Sequence, residues 1–508
     1  MPSPWILSLR YLLPLVACGI VLAYLLMGKR PFPFLRGLLA AVLLASALAA
    51  VRHYVDAQWR AGGYLNKYEF FHYYLGSKYA PELGYTHLYD AAVIAEVENN
   101  FRVKSPSLRN LETGAIISAQ QVLAHPEQCK ARFTPPRWAE FLRDVAFFHE
   151  GFDIKTWKRM LMDKGYNATP VWTMIAAPLS NRAPTDNLFR LTCIALIDAL
   201  LLLLAIGCVA WAFDYRAALL MVIFLGVHYL FSHYTLKAAF LRLDWVVCLT
   251  MAVCMLKKGW YKTAGGLCAY AALARVFPLA FVFGVGAKFF FDLVRTRSIH
   301  HRYFGYFASF GCTVAVFVLA SILYHGGVEI WREFFAKIAA HDRDISAWRV
   351  GFKYVFLMSY NGGAFWGTDL QQFFEHWKWL WWTIQVAVLL ASAFLVQKLE
   401  DYEAMAFSYV PVFFLFAPTY YYHIMLLVPF LFFAGRMERP THAAGLLFMF
   451  VTSAVSFKCY YLWNRGYKLF FIISCLLLAM VLYMMLLAFL DSLKKPAEVQ
   501  QNSPGASA

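Results

Sequence analysis

The chain has 508 residues, of which 61% are hydrophobic and only 15% are charged. A soluble globular domain is about half apolar and about one quarter charged, so this composition excludes a soluble protein and predicts surfaces that face lipid. The net charge of +16 is also typical of nucleic-acid-binding proteins. Most lysines and arginines, however, lie at the ends of apolar runs, where they orient a chain in a membrane, and we expect no nucleic-acid partner.

Apolar segments recur along the chain and predict an all-α polytopic membrane protein with about 11–13 transmembrane helices. The segments are Tyr11–Met27, Leu35–Val51, Phe189–Phe213, Ala217–Tyr234, Trp245–Leu256, Thr263–Leu273, Leu279–Leu293, Tyr303–Tyr324, Trp377–Val396, Ala404–Phe416, Ile424–Ala434, Ala443–Phe457 and Leu469–Leu490. Several of them are shorter than the roughly 20 residues that cross a bilayer, so we expect neighbouring polar residues to lie at membrane depth.

Clusters of basic residues predict how the chain is oriented. If every segment crosses once, seven clusters fall on the same side, which the positive-inside rule assigns to the cytoplasm. They are Lys29/Arg30/Arg36, Arg216, Lys257/Lys258/Lys262, Arg295/Arg297/Arg302, Lys398, Arg436/Arg439 and Lys494/Lys495. The N-terminus and the long loops are then expected outside, in a multi-pass protein of the inner (plasma) membrane.

Two long loops divide the chain into regions. We expect N-terminal transmembrane helices in residues 1–51, a large extracytoplasmic loop in 52–188, a transmembrane core in 189–324, a second extracytoplasmic loop in 325–376, C-terminal transmembrane helices in 377–495 and a disordered tail in 496–508. Amphipathic stretches in both loops, such as Trp138–Phe148 and Val328–Ala340, predict helices that form a layer on the membrane surface.

The first long loop begins with carboxylates among aromatic residues. Asp56 follows the second predicted helix, and Glu69 lies in the run YEFFHYY at 68–74. A carboxylate just outside a helix end and beside aromatic rings is partly desolvated, which raises its pKa and suits it to act as a general base. The alternative is one solvated charge on an amphipathic segment, and that is the more common situation.

Further charged residues are expected at the same outer level. A buried arginine is costly unless it pairs or binds an anion, so Arg242 beside Asp244 indicates either a structural ion pair or a ligand site, with Lys237 nearby. Arg275 interrupts two apolar stretches; alone it could reach the lipid headgroups, but together with Arg242 it favours a phosphate-binding cluster. His423 follows three tyrosines, and both a core hydrogen-bonding role and a site role are open.

Motifs of other function classes are missing from the sequence. There is no Walker A sequence, no GxGxxG before a helix, no HExxH and no GxSxG, so nucleotide-driven transport and serine or zinc hydrolysis have no support. The ten cysteines form no CxxC pair and no Cys/His metal spacing. The sequence therefore requires no cofactor and predicts no metal ligands, and it leaves a need for a divalent metal open.

Taken together, these residues resemble the GT-C superfamily of membrane glycosyltransferases, especially the bacterial polyprenyl-phosphate-mannose-dependent mannosyltransferases. Glu69 and Tyr73 are similar to the acidic residue, with tyrosine four positions on, of the family's first large extracytoplasmic loop. Its basic residue before proline resembles the run ARVFP at 274–278, and its late Pro/His segment resembles 418–429, which contains His423. The run RLD at 242–244 is similar to an Arg/Asp pair of related members.

The resemblance implies a GT-C-like loop layer and an inverting transfer of a sugar such as mannose. The donor would be a polyprenyl-phosphate-linked sugar in the membrane, and the acceptor an extracytoplasmic glycan, lipid or protein. The implied site comprises a catalytic acid at Glu69, or Asp56 in its place, donor-phosphate ligands at Arg275, Arg242, Lys237 and His423, and supporting residues His72, Tyr73 and Asp244.

The chain departs from the family pattern at three points: the acid is Glu69 where aspartate is usual, the first loop is longer, and an extra helix precedes it. One alternative function is a transporter or flippase of an anionic lipid or lipid-linked sugar, which would use the same basic cluster. Another is a non-enzymatic assembly protein. A flippase needs a polar path through the whole bilayer, whereas the candidate residues are expected at one face.

Overall fold

A computed structural model describes residues 4–28, 33–59, 64–232, 237–342, 348–358, 360, 368–463 and 466–493. Helices dominate these ranges, and their one described sheet is an antiparallel pair, β1 Ser107–Arg109 and β2 Ile116–Ser118. Eight helices are long and apolar enough to cross a membrane. The prediction of an all-α, multi-pass membrane protein is therefore confirmed, while the predicted tail, 496–508, lies outside the described residues.

The first part of the chain contains ten helices. They are α1 Pro4–Met27, α2 Pro33–Trp59, α3 Lys67–Lys78, α4 Ala80–Leu83, α5 Leu88–Glu98, α6 Ala119–Leu123, α7 Pro126–Lys130, α8 Pro135–Glu150, α9 Ile154–Leu161 and α10 Pro170–Asn181. Next come α11 Leu188–Ala212, α12 Tyr215–Val227, α13 Tyr229–Ser232, α14 Asp244–Lys257, α15 Tyr261–Ala274, α16 Phe283–Thr296 and α17 His301–Tyr324.

The last part begins with the second long loop. Its helices are α18 Glu329–Asp342, α19 Phe352–Leu357, α20 Thr368–His376, α21 Lys378–Leu395, α22 Asp401–Phe407, α23 Tyr409–Leu415, α24 Leu427–Ala434, α25 Pro440–Trp463 and α26 Tyr467–Leu493. Three 3₁₀ helices, Phe277–Val282, Val396–Lys398 and Tyr420–Leu426, precede α16, follow α21 and precede α24.

Long and short helices occupy different positions in the bundle. All thirteen predicted segments fall on helices, but five of them, including α14 and α15, are short. A 14-residue helix spans about 21 Å, which is less than the ~30 Å hydrocarbon core. Most of α14 and all of α22 and α24 are buried inside the protein, whereas α11, α17 and α21 expose many apolar side chains. These three short helices therefore lie in the core, and α11, α17 and α21 face outward.

Charged side chains at one end of the bundle join the ends of four helices. Arg436, after α24, contacts Glu400 and Glu403 at the start of α22 and Asp491 near the end of α26. Lys257, at the end of α14, also contacts Glu400. Lys257 and Arg436 belong to basic clusters that the sequence predicts on one side. We call this the basic end and the opposite one, where the long loops lie, the loop end.

Residues 64–187 form a helical layer with its own polar core. Lys78 on α3 places its Nζ 2.8 Å from a carboxylate oxygen of Asp144 and 2.8 Å from one of Glu140, both on α8. The hydroxyls of Tyr79 and Thr185 donate to the same Asp144. This network joins α3, α8 and the start of the transmembrane core, so that α3 has a defined position relative to the bundle.

The second long loop is attached to this layer by a buried lysine. Lys337 on α18 donates from Nζ to the carbonyl oxygens of Tyr85 and Leu111, at 3.2 and 3.0 Å. Burial lowers the pKa of Lys337 to about 8, because the charged ammonium is poorly solvated there. The two loops predicted from the sequence thus pack together as one layer.

Candidate functional site

The segment from Lys237 to Leu243 has a strained backbone that is held from several sides. Ala238 and Leu241 have φ angles of +47° and +46°, which cost non-glycine residues about 1–2 kcal/mol each. The carbonyl of Ala238 accepts the Asn66 N–H at 2.9 Å, and that of Leu241 accepts the Trp172 indole N–H at 2.8 Å. These bonds join the segment to the first long loop, and strain of this kind is common at functional sites.

Asp198 on α11 fixes the other end of the segment. Its carboxylate accepts the backbone N–H groups of Arg242 at 2.8 Å and Leu243 at 3.1 Å. Asp198 therefore acts as a cap for this turn. The direction of the Arg242 side chain is set by a backbone that is bound at both ends.

The same bonds define how deep the segment lies. Asp198 is ten residues beyond Leu188, where α11 begins, which is about 15 Å along the helix. Leu196 and Leu200, two residues to either side of Asp198, are 40% and 63% exposed. Exposed leucines in a membrane-spanning helix face lipid, so Arg242 lies at the level of the lipid-facing surface and below the loop layer.

Glu69 and Arg242 form a buried ion pair between α3 and the strained segment. Asn66 caps α3 by accepting the Glu69 N–H at 3.3 Å, which places Glu69 in the first helical turn. Glu69 Oε2 lies 3.0 Å from Arg242 Nε, and the side chains are 8% and 2% exposed. Burial raises the pKa of Glu69, although Arg242 and Arg275 oppose this rise.

The pair is close but poorly aligned. Arg242 Nε and Nη1 and Glu69 Oε2 have no hydrogen-bond partner within the described ranges. The opposite charges lie 3.0 Å apart, yet N–H groups of the guanidinium are buried without an acceptor among the described residues. Leaving a buried donor unsatisfied costs about 1–3 kcal/mol.

Arg275 adds a second guanidinium with free donors. It follows α15, whose last turn is tied to the loop layer because the Thr169 hydroxyl donates to the Leu273 carbonyl at 2.6 Å. Arg275 Nη1 donates to the carbonyl of the adjacent Ala274 at 2.8 Å. Its Nε and Nη2 have no acceptor in the described part of the chain, although the residue is only 6% exposed.

Aromatic rings cover the faces of both guanidinium groups. The ring centroid of Tyr73 lies 4.0 Å from Arg242 Cζ and 5.6 Å from Arg275 Cζ, and Trp172 lies 5.5 Å from Arg275 Cζ. The Tyr73 hydroxyl donates to Asn167 Oδ1 at 2.6 Å, which fixes this ring. With their faces covered, the arginines present their N–H edges, the part that binds carboxylate or phosphate.

Two predicted supporting residues are engaged elsewhere. His72 donates from Nδ1 to the Tyr68 carbonyl and accepts the Tyr89 hydroxyl at Nε2, and its burial lowers its pKa, so it is neutral and anchors α3. Asp244 accepts the Tyr270 hydroxyl at 2.8 Å. The ion pair considered between Arg242 and Asp244 is not found among the described contacts, because the strained turn aims Arg242 at the loop layer.

Lys237 and His423 each make hydrogen bonds to groups other than the two arginines. Lys237 Nζ donates to the Tyr54 carbonyl at 3.2 Å, and burial lowers the pKa of Lys237 to about 7. His423 accepts the Tyr409 hydroxyl at 2.9 Å and donates to the Val350 carbonyl at 3.1 Å, so both ring nitrogens are occupied. Their predicted role as phosphate ligands stays a prediction without a supporting contact.

The structure adds one carboxylate that the sequence did not single out. Asp163, in the turn after α9, accepts the Tyr68 hydroxyl at 2.9 Å, and its charge helps to raise the pKa of Glu69. Nothing in the sequence distinguishes Asp163 from other loop charges. Asp56, the alternative catalytic acid, has a side chain outside the described residues. In the described part of the chain, no three His, Cys, Asp or Glu side chains are grouped to hold a metal ion.

Comparisons of the chain with protein-family models, with curated proteins and with solved structures gave no match. The function is therefore argued from the geometry of the site. The site combines the buried carboxylate of Glu69 with two arginines whose N–H edges are free. It lies at the level of α11 where Leu196 and Leu200 are exposed. Such a site can bind an anionic group that carries a lipid chain and can remove a proton beside it.

Proposed function

We propose that the protein is a GT-C-type glycosyltransferase. It moves a sugar, with mannose as the first candidate, from a polyprenyl-phosphate donor to a glycan, lipid or protein acceptor at the loop end. One observation carries the proposal: Arg242 and Arg275 keep buried N–H donors free immediately beside the buried carboxylate of Glu69. A cluster built only for stability would satisfy these donors within the protein.

The donor phosphate accounts for the free guanidinium edges. Its oxygens would accept from Arg242 Nη1 and from Arg275 Nε and Nη2, which have no acceptor among the described residues. Arginine forms charge-assisted hydrogen bonds with phosphate that are roughly twice as strong as neutral ones. The same bonds would stabilise the negative charge that develops on the leaving group.

The depth of the site suits a lipid-linked donor. Arg242 is tied to Asp198, and the exposed Leu196 and Leu200 flank that residue on α11. A polyprenyl chain can therefore stay in the bilayer while its phosphate reaches the arginines. A water-soluble nucleotide sugar would gain nothing from a site at this level.

Glu69 is the proposed general base. It takes the proton of an acceptor hydroxyl, whose oxygen attacks the anomeric carbon of the donor sugar. The new carbon–oxygen bond forms as the bond between the anomeric carbon and the phosphate oxygen breaks, and polyprenyl phosphate leaves with the electron pair. One displacement inverts the anomeric configuration. Asp163 and Tyr68, next to Glu69, lie at the side from which the acceptor would approach.

The test uses purified protein in lipid nanodiscs with synthetic polyprenyl-phosphate mannose, glucose and arabinose. Donor binding is measured by native mass spectrometry, and turnover by the release of polyprenyl phosphate in the presence of a cell-envelope extract as the acceptor source. In Glu69→Gln we expect turnover to fall by about 10²–10⁴-fold with donor binding nearly unchanged, because the variant removes only the base. Glu112→Gln changes an exposed carboxylate of the same layer and serves as the matched control.

Two results would contradict the proposal. Unchanged turnover in Glu69→Gln would remove this residue from the mechanism. The wild-type protein could instead neither bind nor turn over any of the donors and move a fluorescent anionic lipid between leaflets. That result would support a lipid transporter in place of a transferase.

A further inference from the structure

A cavity lies at the basic end of the bundle, on the side opposite to the proposed transferase site. It has a volume of about 470 Å³ and is lined by Gly259 and Trp260 before α15, by Tyr261, Lys262 and Thr263 at the start of α15, and by His301, Arg302 and Gly305 at the start of α17. Three of the lining side chains, Lys262, His301 and Arg302, carry or can carry positive charge, and none is acidic.

The positive charge of this cavity is only partly neutralised. Lys262 is exposed and forms no ion pair with any described residue. Arg302 approaches Asp401 only to 3.8 Å, its Nη2 donates to the Tyr303 hydroxyl at 3.4 Å, and its Nε has no acceptor within the described ranges. Asp401 is already bound more closely, by Lys288 at 2.7 Å and by the hydroxyl of Tyr261 at 2.5 Å. Arg302, whose side chain is 38% exposed, therefore keeps an N–H group that a ligand can use.

The start of α17 contributes backbone donors beside the cavity. His300, the residue before this 24-residue helix, makes no side-chain cap, and its carbonyl accepts the N–H groups of Tyr303 and Phe304, both at 3.1 Å. The N–H groups of His301 and Arg302 then have no acceptor among the described contacts. A helix start of this kind attracts anions because its free N–H groups and its dipole act together. The helix start and the arginine point to the same class of ligand, a phosphate.

Neighbouring aromatic residues place the cavity at the level of lipid headgroups. The rings of Trp211, at the end of α11, and Trp260, in the cavity wall, lie 5.1 Å apart and are 45% and 54% exposed. Lys258 Nζ lies 5.3 Å from the Trp211 ring. Exposed tryptophans beside lysine at the end of a spanning helix are typical of the membrane–water interface.

An apolar surface continues from the cavity toward the membrane interior. Phe304, adjacent to Gly305 in the cavity wall, is 63% exposed, and Val316 and Leu319 farther along α17 are 56% and 58% exposed. This surface fits an acyl chain whose headgroup occupies the cavity. Basic pockets between helices at this side of a membrane are known to select anionic headgroups.

We infer that this cavity binds the phosphate of an anionic phospholipid from the leaflet at the basic end. Lys262 and Arg302 hold the phosphate, the start of α17 donates to it, and Phe304 contacts an acyl chain. The inference is independent of the proposed transferase activity, since it uses a different end of the bundle and different residues.

The test is a titration of purified wild-type protein with phosphatidylglycerol, phosphatidylcholine and water-soluble glycerol phosphate, followed by native mass spectrometry. The variants are Lys262→Gln and the double variant Lys262→Gln/Arg302→Gln. Arg295→Gln/Arg297→Gln removes two charges from the same end outside the cavity and serves as the matched control. Because Lys262 is exposed and unpaired in the described structure, its single variant is expected to fold even if the double variant does not.

We expect phosphatidylglycerol to bind roughly 10–30-fold more weakly to the double variant, a few-fold more weakly to Lys262→Gln, and normally to the control. Phosphatidylcholine should bind weakly to all. Equal losses in the control and the cavity variants, or no loss in Lys262→Gln and the double variant, would overturn the inference. Binding of glycerol phosphate as tight as that of the lipid would also overturn it, in favour of a soluble phosphate compound.

Discussion

Two arginines at opposite ends of the bundle, Arg436 and Arg242, differ in how completely the protein satisfies their N–H donors. At the basic end, Arg436 Nε lies 2.5 Å from Glu403 Oε1, its Nη2 donates to Glu403 Oε2 at 2.6 Å, and its Nη1 faces Asp491 at 3.5 Å. At the loop end, Arg242 has one carboxylate oxygen of Glu69 at 3.0 Å, and two of its nitrogens lack an acceptor in the described structure.

We interpret this difference as that between a structural ion pair and the proposed binding site. Each of the three guanidinium nitrogens of Arg436 has a carboxylate within 3.5 Å, from Glu403, Glu400 and Asp491, so that little of its donor set is left for a ligand. Arg242 and Arg275 are more deeply buried, at 2% and 6% exposed against 17% for the Arg436 side chain, yet several of their donors lack an acceptor in the described structure. We propose a ligand for these two arginines because burial is combined there with unsatisfied donors.

The largest effect on stability is expected at the basic end. Arg436→Met leaves Glu403 buried without its main partner and should lower the free energy of unfolding by about 3–5 kcal/mol. Thermal unfolding in detergent, followed by tryptophan fluorescence, measures this change. Arg439→Met removes a more exposed arginine, 3.9 Å from Asp491, and should cost less than about 1 kcal/mol. Equal losses in the two variants would contradict the comparison.

Arg275→Met should show the opposite pattern at the loop end. We expect binding of polyprenyl-phosphate sugar to weaken roughly 10–100-fold, because charge-assisted hydrogen bonds are lost, while stability is unchanged or rises. Native mass spectrometry measures donor binding, and thermal unfolding of the same samples measures stability. Arg275→Lys, which keeps the charge but loses the forked edge, should bind at an intermediate level. A large loss of stability with unchanged binding would make Arg275 structural.

Lys237 provides a test that depends on pH. The pKa of Lys237 is about 7 in the folded protein, whereas its ordinary value is 10.5. Below pH 7 the lysine is charged in both states, and the burial of this charge lowers the stability of the folded protein. Between pH 7 and 10.5 the folded protein no longer binds this proton, so its stability rises with pH. Lys237→Met should therefore stabilise the protein at pH 6 by about 1–2 kcal/mol. The gain should shrink as the pH rises from 7 to 10. A gain that stays constant over this range would show that the lysine is not the cause.

The smallest effect concerns the strained backbone beside Arg242. Ala238 has a φ of +47°, which glycine adopts without strain, so Ala238→Gly should raise the free energy of unfolding by up to about 1 kcal/mol. Ala239→Gly, at the neighbouring buried position whose φ is not positive, should destabilise instead. Donor binding should change little in either variant, because the groups of this segment that bond to Asn66, Trp172 and Asp198 are backbone atoms, which both substitutions keep.

Part of this site could be predicted from the sequence for physical reasons. Arg242 and Arg275 interrupt apolar stretches, and charge is so costly there that it calls for a partner or a ligand. Glu69 follows from its position after a predicted helix and among aromatic residues, whereas Tyr73 was predicted only from the resemblance to the GT-C superfamily. The structure brings all four together: Glu69 pairs with Arg242, and the ring of Tyr73 lies against both arginines.

The rest depends on tertiary contacts without a local signal. Asp244 is two residues from Arg242, yet the carboxylate beside Arg242 is that of Glu69, because the strained turn directs the arginine away from its neighbour. The prediction groups His423 with the arginines by its expected depth and by the resemblance of 418–429 to a GT-C segment, but its described hydrogen bonds are to Tyr409 and Val350. The five short helices were predicted as segments, but hydropathy does not show that they lie inside the bundle.

The pairing of Glu69 with Arg242 also has a consequence for biosynthesis. The two residues are 173 positions apart in the chain. At about 5–20 residues per second, a ribosome needs roughly 9–35 s to make the intervening segment. During that time the carboxylate has already emerged and its arginine does not yet exist. The loop layer must therefore keep Glu69 hydrated or protonated until α11 to α13 are inserted, and it can close over the carboxylate only afterwards.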